Sequence, residues 1–237
     1  MRLPVLISVL HAGLEVPEEV GDICILRTRE LIADSDEGAS EIYNFESDVA
    51  VFMTTNIARA IVDLNRSPND FGADGVVKTH TCWGIPIYQK TLLKDQAKIL
   101  LDRYYRPYHT QLSELSKNVL FGLDCHTMSA IAPPVGPDPG QERPKVCLSN
   151  AGATCPQSWL DLLAGYLAEE LVVEVSKNEP FKGGHIIRSH SKEIPWIQLE
   201  LSRAPFLSLD AKRSKILRSL RRFCKALCDD KTSYIGP

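Results

Sequence analysis

Val5-Leu6-Ile7-Ser8-Val9-Leu10-His11-Ala12-Gly13 is an apolar run closed by a histidine and a glycine. It reads as a β-strand buried on both faces, the kind found inside sheets that carry helices on either side. Further strands are expected at residues 58–64, 85–88, 119–123, 146–148, 185–188 and 196–201. The 58–64 run is stopped by Asn65-Arg66-Ser67-Pro68-Asn69, and Lys182-Gly183-Gly184 precedes the strand at 185–188. Between them fall helical patterns: through Ile42, Tyr43 and Phe45, across 91–117 with an interruption at Pro107, from Pro156 to about 175, and across 210–228. Strands alternating with helices indicate a layered α/β fold with a largely parallel or mixed sheet.

Composition narrows the function classes. The 237 residues are 44% hydrophobic and 24% charged, which allows a sizeable core in one domain spanning residues 1–237. A net charge of −3 gives no pull toward nucleic acid or an anionic membrane. No apolar run is long enough for a membrane span, and the first residues lack the features of a signal peptide. The seven cysteines are scattered, with no CxxC pair, which suits buried thiols in a reducing cytoplasm better than disulfides or a structural zinc site. The stretch 131–145, rich in proline, is expected to be a loop over an active site.

Ligands of open α/β sheets bind beyond the carboxyl ends of the strands. His11, the segment Asp63 to Arg66 and the segment Asp124 to His126 all sit at or near predicted strand ends. One such histidine is usually structural. Two in similar positions point to a shared metal, because their imidazoles can converge on zinc at ~2.0–2.1 Å. A catalytic site needs a third ligand, and Asp36 is the candidate. The alternative is that Asp34, Asp36 and Glu37 form a solvated turn with a helix N-cap. Glu200, set inside the apolar run Trp196 to Leu201, is costly to bury unless paired or functional. It either pairs with Arg203 or Arg188, or faces the metal and acts on water. Arg66, Arg143, Arg188 and Arg203 offer the guanidinium fork that suits carboxylates, and Asp63 could orient Arg66.

Four segments in this order resemble the N-formylglutamate amidohydrolase family. They are Ile7-Ser8-Val9-Leu10-His11-Ala12-Gly13 with Pro17, Val62-Asp63-Leu64-Asn65-Arg66, Leu123-Asp124-Cys125-His126-Thr127-Met128, and Asn178-Glu179-Pro180-Phe181-Lys182-Gly183-Gly184-His185. The run Gln198-Leu199-Glu200-Leu201-Ser202-Arg203 matches the family's glutamine, glutamate and arginine. The resemblance implies a three-layer α/β/α, phosphorylase/hydrolase-like fold, distantly similar to zinc carboxypeptidases. It also implies a zinc-dependent amidohydrolase acting on an N-acyl acidic amino acid, with His11, Asp36 and His126 as metal ligands. In that picture Glu200 is the catalytic carboxylate, taking a proton from water and passing it to the departing amine. Arg66, Arg143, Asn65, His185 and Arg203 become candidate substrate binders. The chain departs from the family at Leu10 and Ala12, where proline and serine are common, and at Thr127, commonly serine.

Rival readings are a Cys125 amidase, a metal-stabilised binding protein for carboxylated metabolites and a carboxypeptidase- or desuccinylase-like hydrolase. Cys125 lies between Asp124 and His126 on a strand, where neighbouring side chains point to opposite faces. The basic residues from Lys212 to Lys225 read as a solvated helix face rather than a nucleic-acid contact.

Overall fold

The computed structural model describes residues 2–233. The leading run forms β1 (Leu3–Val9), and its side chains divide strictly by parity. Val5, Ile7 and Val9 enter one hydrophobic cluster, while Leu6 and Leu10 enter another on the opposite face. That two-sided burial is what a strand covered by helices on both faces requires. Five more strands follow: β2 (Val49–Thr54), β3 (Phe121–Met128), β4 (Val146–Ser149), β5 (Val175–Lys177) and β6 (Trp196–Ser202). They form one six-stranded sheet in the order β2-β1-β3-β6-β4-β5. All neighbours are parallel except β4 and β6, which are antiparallel. The sheet is mixed and mostly parallel, in an α/β fold, as the strand and helix pattern led one to expect.

The helices make the outer layers. One face carries α3 (Ala39–Ile42), α6 (Gln157–Leu171) and α8 (Leu209–Ser233), whose Ile42, Leu160, Leu167, Ile216 and Phe223 pack onto Phe121, Leu123, Ile197 and Leu199. The other face carries α4 (Lys94–Leu100), α5 (Arg106–Leu115) and α7 (His185–His190), with Leu100, Leu112 and Ile186 packed beside Leu6 and Trp196. The short α1 (Glu18–Gly21) and α2 (Thr28–Asp34) precede the acidic loop. Between α4 and α5 the helix widens into a π turn at Leu101–Tyr105. Pro107 has no N–H for a carbonyl one turn back, and the wider turn absorbs that loss without ending the rod.

Four local expectations are corrected. Residues 58–64 are buried but form turns, while the edge strand β2 lies at Val49–Thr54. A short apolar run does not distinguish a strand from a buried turn by pattern alone. Residues 85–88 make only isolated bridges, Cys24 to Tyr88 and His80 to Pro86. Residues 185–188 are the start of helix α7, with the side-chain oxygen of Asn65 accepting the Ile186 N–H at 2.8 Å. Strand β3 does not stop before Asp124-Cys125-His126 but runs through them to Met128.

Gly184 shows how tightly α7 is docked. A Cβ there would stand 2.3 Å from the Asn65 amide nitrogen, so only glycine lets the helix start against that side chain. Among the described residues no helix is long and apolar enough to cross a membrane.

Candidate metal centre

Parity along three strands assembles the site. In β3, Leu123 and Cys125 face the α6–α8 layer, which turns Asp124 and His126 to the other side. In β6, Leu199 and Leu201 do the same and turn Gln198 and Glu200 outward with them. The parallel register sets Asp124 against Gln198 and His126 against Glu200. His11 emerges just past β1, and its carbonyl accepts the Asp36 backbone N–H at 3.0 Å. That bond pins the acidic loop to the strand end. The cluster therefore lies toward the carboxyl ends of β1, β3 and β6, in a cavity of about 830 Å³.

Each histidine is gripped from behind by a carboxylate. His11 Nε2 is 2.8 Å from Asp63 Oδ1, and His126 Nε2 is 2.9 Å from Asp124 Oδ2. A carboxylate takes the Nε2–H and leaves Nδ1 as the basic nitrogen. Both Nδ1 atoms face Asp36 Oδ2, at 3.6 Å from His11 and 2.9 Å from His126. The two rings stand 4.9 Å apart, and one ligand atom from each of His11, Asp36 and His126 lies within 4.8 Å of the others.

His11 Nδ1 is buried and has no hydrogen-bond partner among the described residues. Leaving such an atom unsatisfied carries the full desolvation cost, and a cation would remove it. Two imidazoles and one carboxylate are a donor set typical of catalytic zinc, which keeps a further position for water. The residues fit a divalent metal.

Burial and closely packed charges shift the titration of these groups. Burial alone would raise Asp36, but the neighbouring His11 and His126 outweigh it and hold the carboxyl well below the usual range. Asp63 is likewise low, because His11, Lys78, Arg66 and Arg59 overcome its burial. Burial disfavours a charged His126, yet Asp124, Glu200 and Asp36 together raise its pKa well above the ordinary value. Glu200 moves the other way: burial first, then Asp36, push it up to about 7 against the pull of His126. A buried carboxyl near neutrality is suited to taking and giving protons.

The cavity brings most of the expected residues together. Glu200 lines it, and Gln198 Nε2 donates to Glu200 Oε1 at 2.9 Å while Gln198 Oε1 accepts the Gly184 N–H. Neither Arg188 nor Arg203 pairs with Glu200; Arg188 donates to the carbonyls of Lys182 and Gly183. Asn65 lines the cavity with its side chain committed at both ends, to Ile186 N and to Asp124 Oδ2 at 3.2 Å. Arg66 is oriented by Asp74 rather than by Asp63, through Nη2 to Oδ2 at 2.7 Å and Nε to the backbone carbonyl at 2.8 Å. Arg143 is held by Asp138 through two bonds and lies over the Phe181 ring at 4.8 Å. Arg203 donates to the Ser35 carbonyl at 3.1 Å. His185 is not among the cavity's lining residues; its ring packs near Tyr105 and His109. Pro133, Val135 to Asp138 and Arg143, from the proline-rich loop, form one wall.

Two cations escaped the sequence reading. Arg59 lines the cavity and spans Asp36 Oδ1 at 3.4 Å and Asp63 Oδ2 at 3.3 Å. Lys78 is fully buried between Asp63 and Asp74. Arg59 sits inside the apolar run Ala58-Arg59-Ala60-Ile61 and Lys78 directly follows Val76-Val77, and a charge so placed was the available signal. Cys125 is buried in the opposite cluster, and burial with Asp124 nearby pushes its thiol well above the ordinary value, the reverse of an activated nucleophile.

Sequence and fold comparisons show what the chain is similar to. The family profile described as N-formylglutamate amidohydrolase matches residues 3–207. An N-formylglutamate deformylase of Pseudomonas putida is 30% identical over 224 residues, covering 87% of this chain and 82% of that protein. One from Pseudomonas aeruginosa is 25% identical over 228 residues, covering 89% and 84%. The crystal structure of N-formylglutamate amidohydrolase from Ralstonia eutropha JMP134 superposes with a TM-score of 0.73 at 18% identity, over 99% of this chain and 96% of that one. At such identity the likeness concerns the fold.

Proposed function

The chain belongs to the N-formylglutamate amidohydrolase family, and from that premise we propose that it hydrolyses the amide of an N-formyl or related N-acyl acidic amino acid. The products are a carboxylate and the free amino acid. The observation that carries the reading is the buried His11 Nδ1, without a hydrogen-bond partner among the described residues and facing Asp36 beside His126 Nδ1.

His11, Asp36 and His126 would hold the metal, zinc by donor chemistry. When bound, it would polarise the amide carbonyl and lower the pKa of a water to about 7. Asp63 and Asp124 keep both rings in the tautomer that presents Nδ1. Glu200 takes a proton from the attacking water and delivers it to the departing amine. Gln198 fixes Oε1 of Glu200 for this task, and no protein hydrogen bond claims Oε2 among the described residues.

Substrate carboxylates would be drawn to the arginines. Arg66 spends Nε and Nη2 on Asp74, leaving Nη1, and Arg203 has no carboxylate partner among the described residues. Arg143, already neutralised by Asp138, walls the cavity with Phe181. Holding the substrate at two points gives proximity as well as selection.

A turnover screen over N-formyl, N-acetyl and N-succinyl derivatives of glutamate and aspartate tests the proposal. Hydrolysis should disappear after chelation and return with zinc. Turnover that persists in the metal-free protein, or an absence of turnover on every member of the screen, would overturn it.

A further inference from the structure

Lys78 joins the two halves of the cavity. Its ammonium is 3.2 Å from Asp63 Oδ2 and 2.9 Å from Asp74 Oδ1, and the side chain is completely buried. Asp63 uses its other oxygen to hold His11 Nε2, and Asp74 uses its other oxygen to hold Arg66 Nη2. An unbroken line of alternating groups therefore runs His11, Asp63, Lys78, Asp74, Arg66.

Burying an ammonium is expensive, and an apolar side chain of similar size would fill the space at lower cost. Charge balance alone needs only one carboxylate beside it. Instead the ammonium stands between the carboxylate that orients a proposed metal ligand and the one that orients a proposed substrate arginine.

We propose that Lys78 is a positioning residue that couples metal binding at His11 to the setting of Arg66. The proposal rests on the metal-centre reading above. Lys78 divides its charge between Asp63 and Asp74, so each carboxylate keeps one oxygen for its own client. Neutralising Asp74 sends the ammonium wholly to Asp63, where it competes with the His11 N–H and loosens the ring. Removing the ammonium leaves Asp63 Oδ2 to Arg59 alone, which draws the carboxylate toward Arg59 and also costs His11 its anchor. Either change reaches the metal from residues that touch none of its ligands.

The test measures zinc affinity of the metal-stripped full chain by competition with a chromophoric chelator, which needs no activity. Asp74→Asn alters a partly exposed side chain and should weaken zinc binding at least threefold in a folded protein. Lys78→Met should weaken it about tenfold or more, in the range known for groups that orient metal-binding histidines. Lys78→Arg, which keeps the charge, should recover part of that loss. An Asp74→Asn protein whose zinc affinity stays within twofold of wild type overturns the coupling, whether or not Lys78→Met folds. A Lys78→Met protein that loses only thermal stability does the same. Wild-type protein that takes up no zinc would remove the metal-centre reading itself, an outcome visible before any variant is made.

Discussion

His126 and Glu200 stand opposite each other on neighbouring parallel strands, in register and on the same face of the sheet. The proposed metal ligand and the proposed proton carrier are thus fixed by backbone pairing rather than by loop conformation. Rigid strands hold such groups more exactly than loops do.

Glu200→Gln should separate binding from turnover. The amide preserves shape and keeps the three ligand residues intact, so zinc affinity should stay close to wild type. Turnover should fall by about 10²–10⁴-fold, the usual worth of a positioned acid–base group. Metal content and steady-state rates on the same preparation check this, and a variant with wild-type turnover takes Glu200 out of the mechanism.

The rate should depend on pH through the same carboxyl. Burial lifts Glu200 to about 7, and it must be ionised to accept a proton, so kcat/KM should fall as pH drops below that point. A bound cation favours the ionised form and moves this acid limb to lower pH. Gln198 donates to the carboxylate and lowers its pKa, so Gln198→Ala should shift the limb upward. A pH profile of both proteins decides; a limb that stays put in Gln198→Ala contradicts the assignment.

Asp124→Asn should weaken zinc binding by about 10–100-fold without touching a ligand. Asp124 takes the Nε2–H of His126 and also receives hydrogen bonds from Ser8 and Asn65, so the ring loses its fixed tautomer when the charge goes. Chelator competition on the folded variant would show it. Unchanged affinity would mean that His126 needs no such support.

Gly184→Ala should destabilise the fold by about 1–3 kcal/mol, the usual cost of overpacking. The new methyl would meet the Asn65 amide at 2.3 Å and push α7 off its seat. Urea denaturation of the metal-free protein measures the loss directly. A midpoint equal to wild type would show that the helix start is looser than this packing implies.

Much of the site was legible because its order is local. Alternation along β3 and β6 alone places Asp124 with His126 and Gln198 with Glu200, and short motifs mark His11, Asp36 and Asp63 to Arg66. The mistaken strand at 58–64 and the missed helix at 185–190 share one cause. Each spans only six or seven residues, too few for a period to separate a strand from a short helix or a buried turn.

By itself, then, the sequence determined the central strands β1, β3, β4 and β6, the two-faced burial of β1 and the residue types gathered at the carboxyl ends of β1, β3 and β6, since each follows from spacing within a few residues. Tertiary structure alone decided which charges meet. Arg66 belongs to Asp74, Arg143 to Asp138, and Lys78 to Asp63 and Asp74. Those pairings arise where loops close over the sheet, and a charge finds its partner by proximity in space, which periodicity along the chain does not encode.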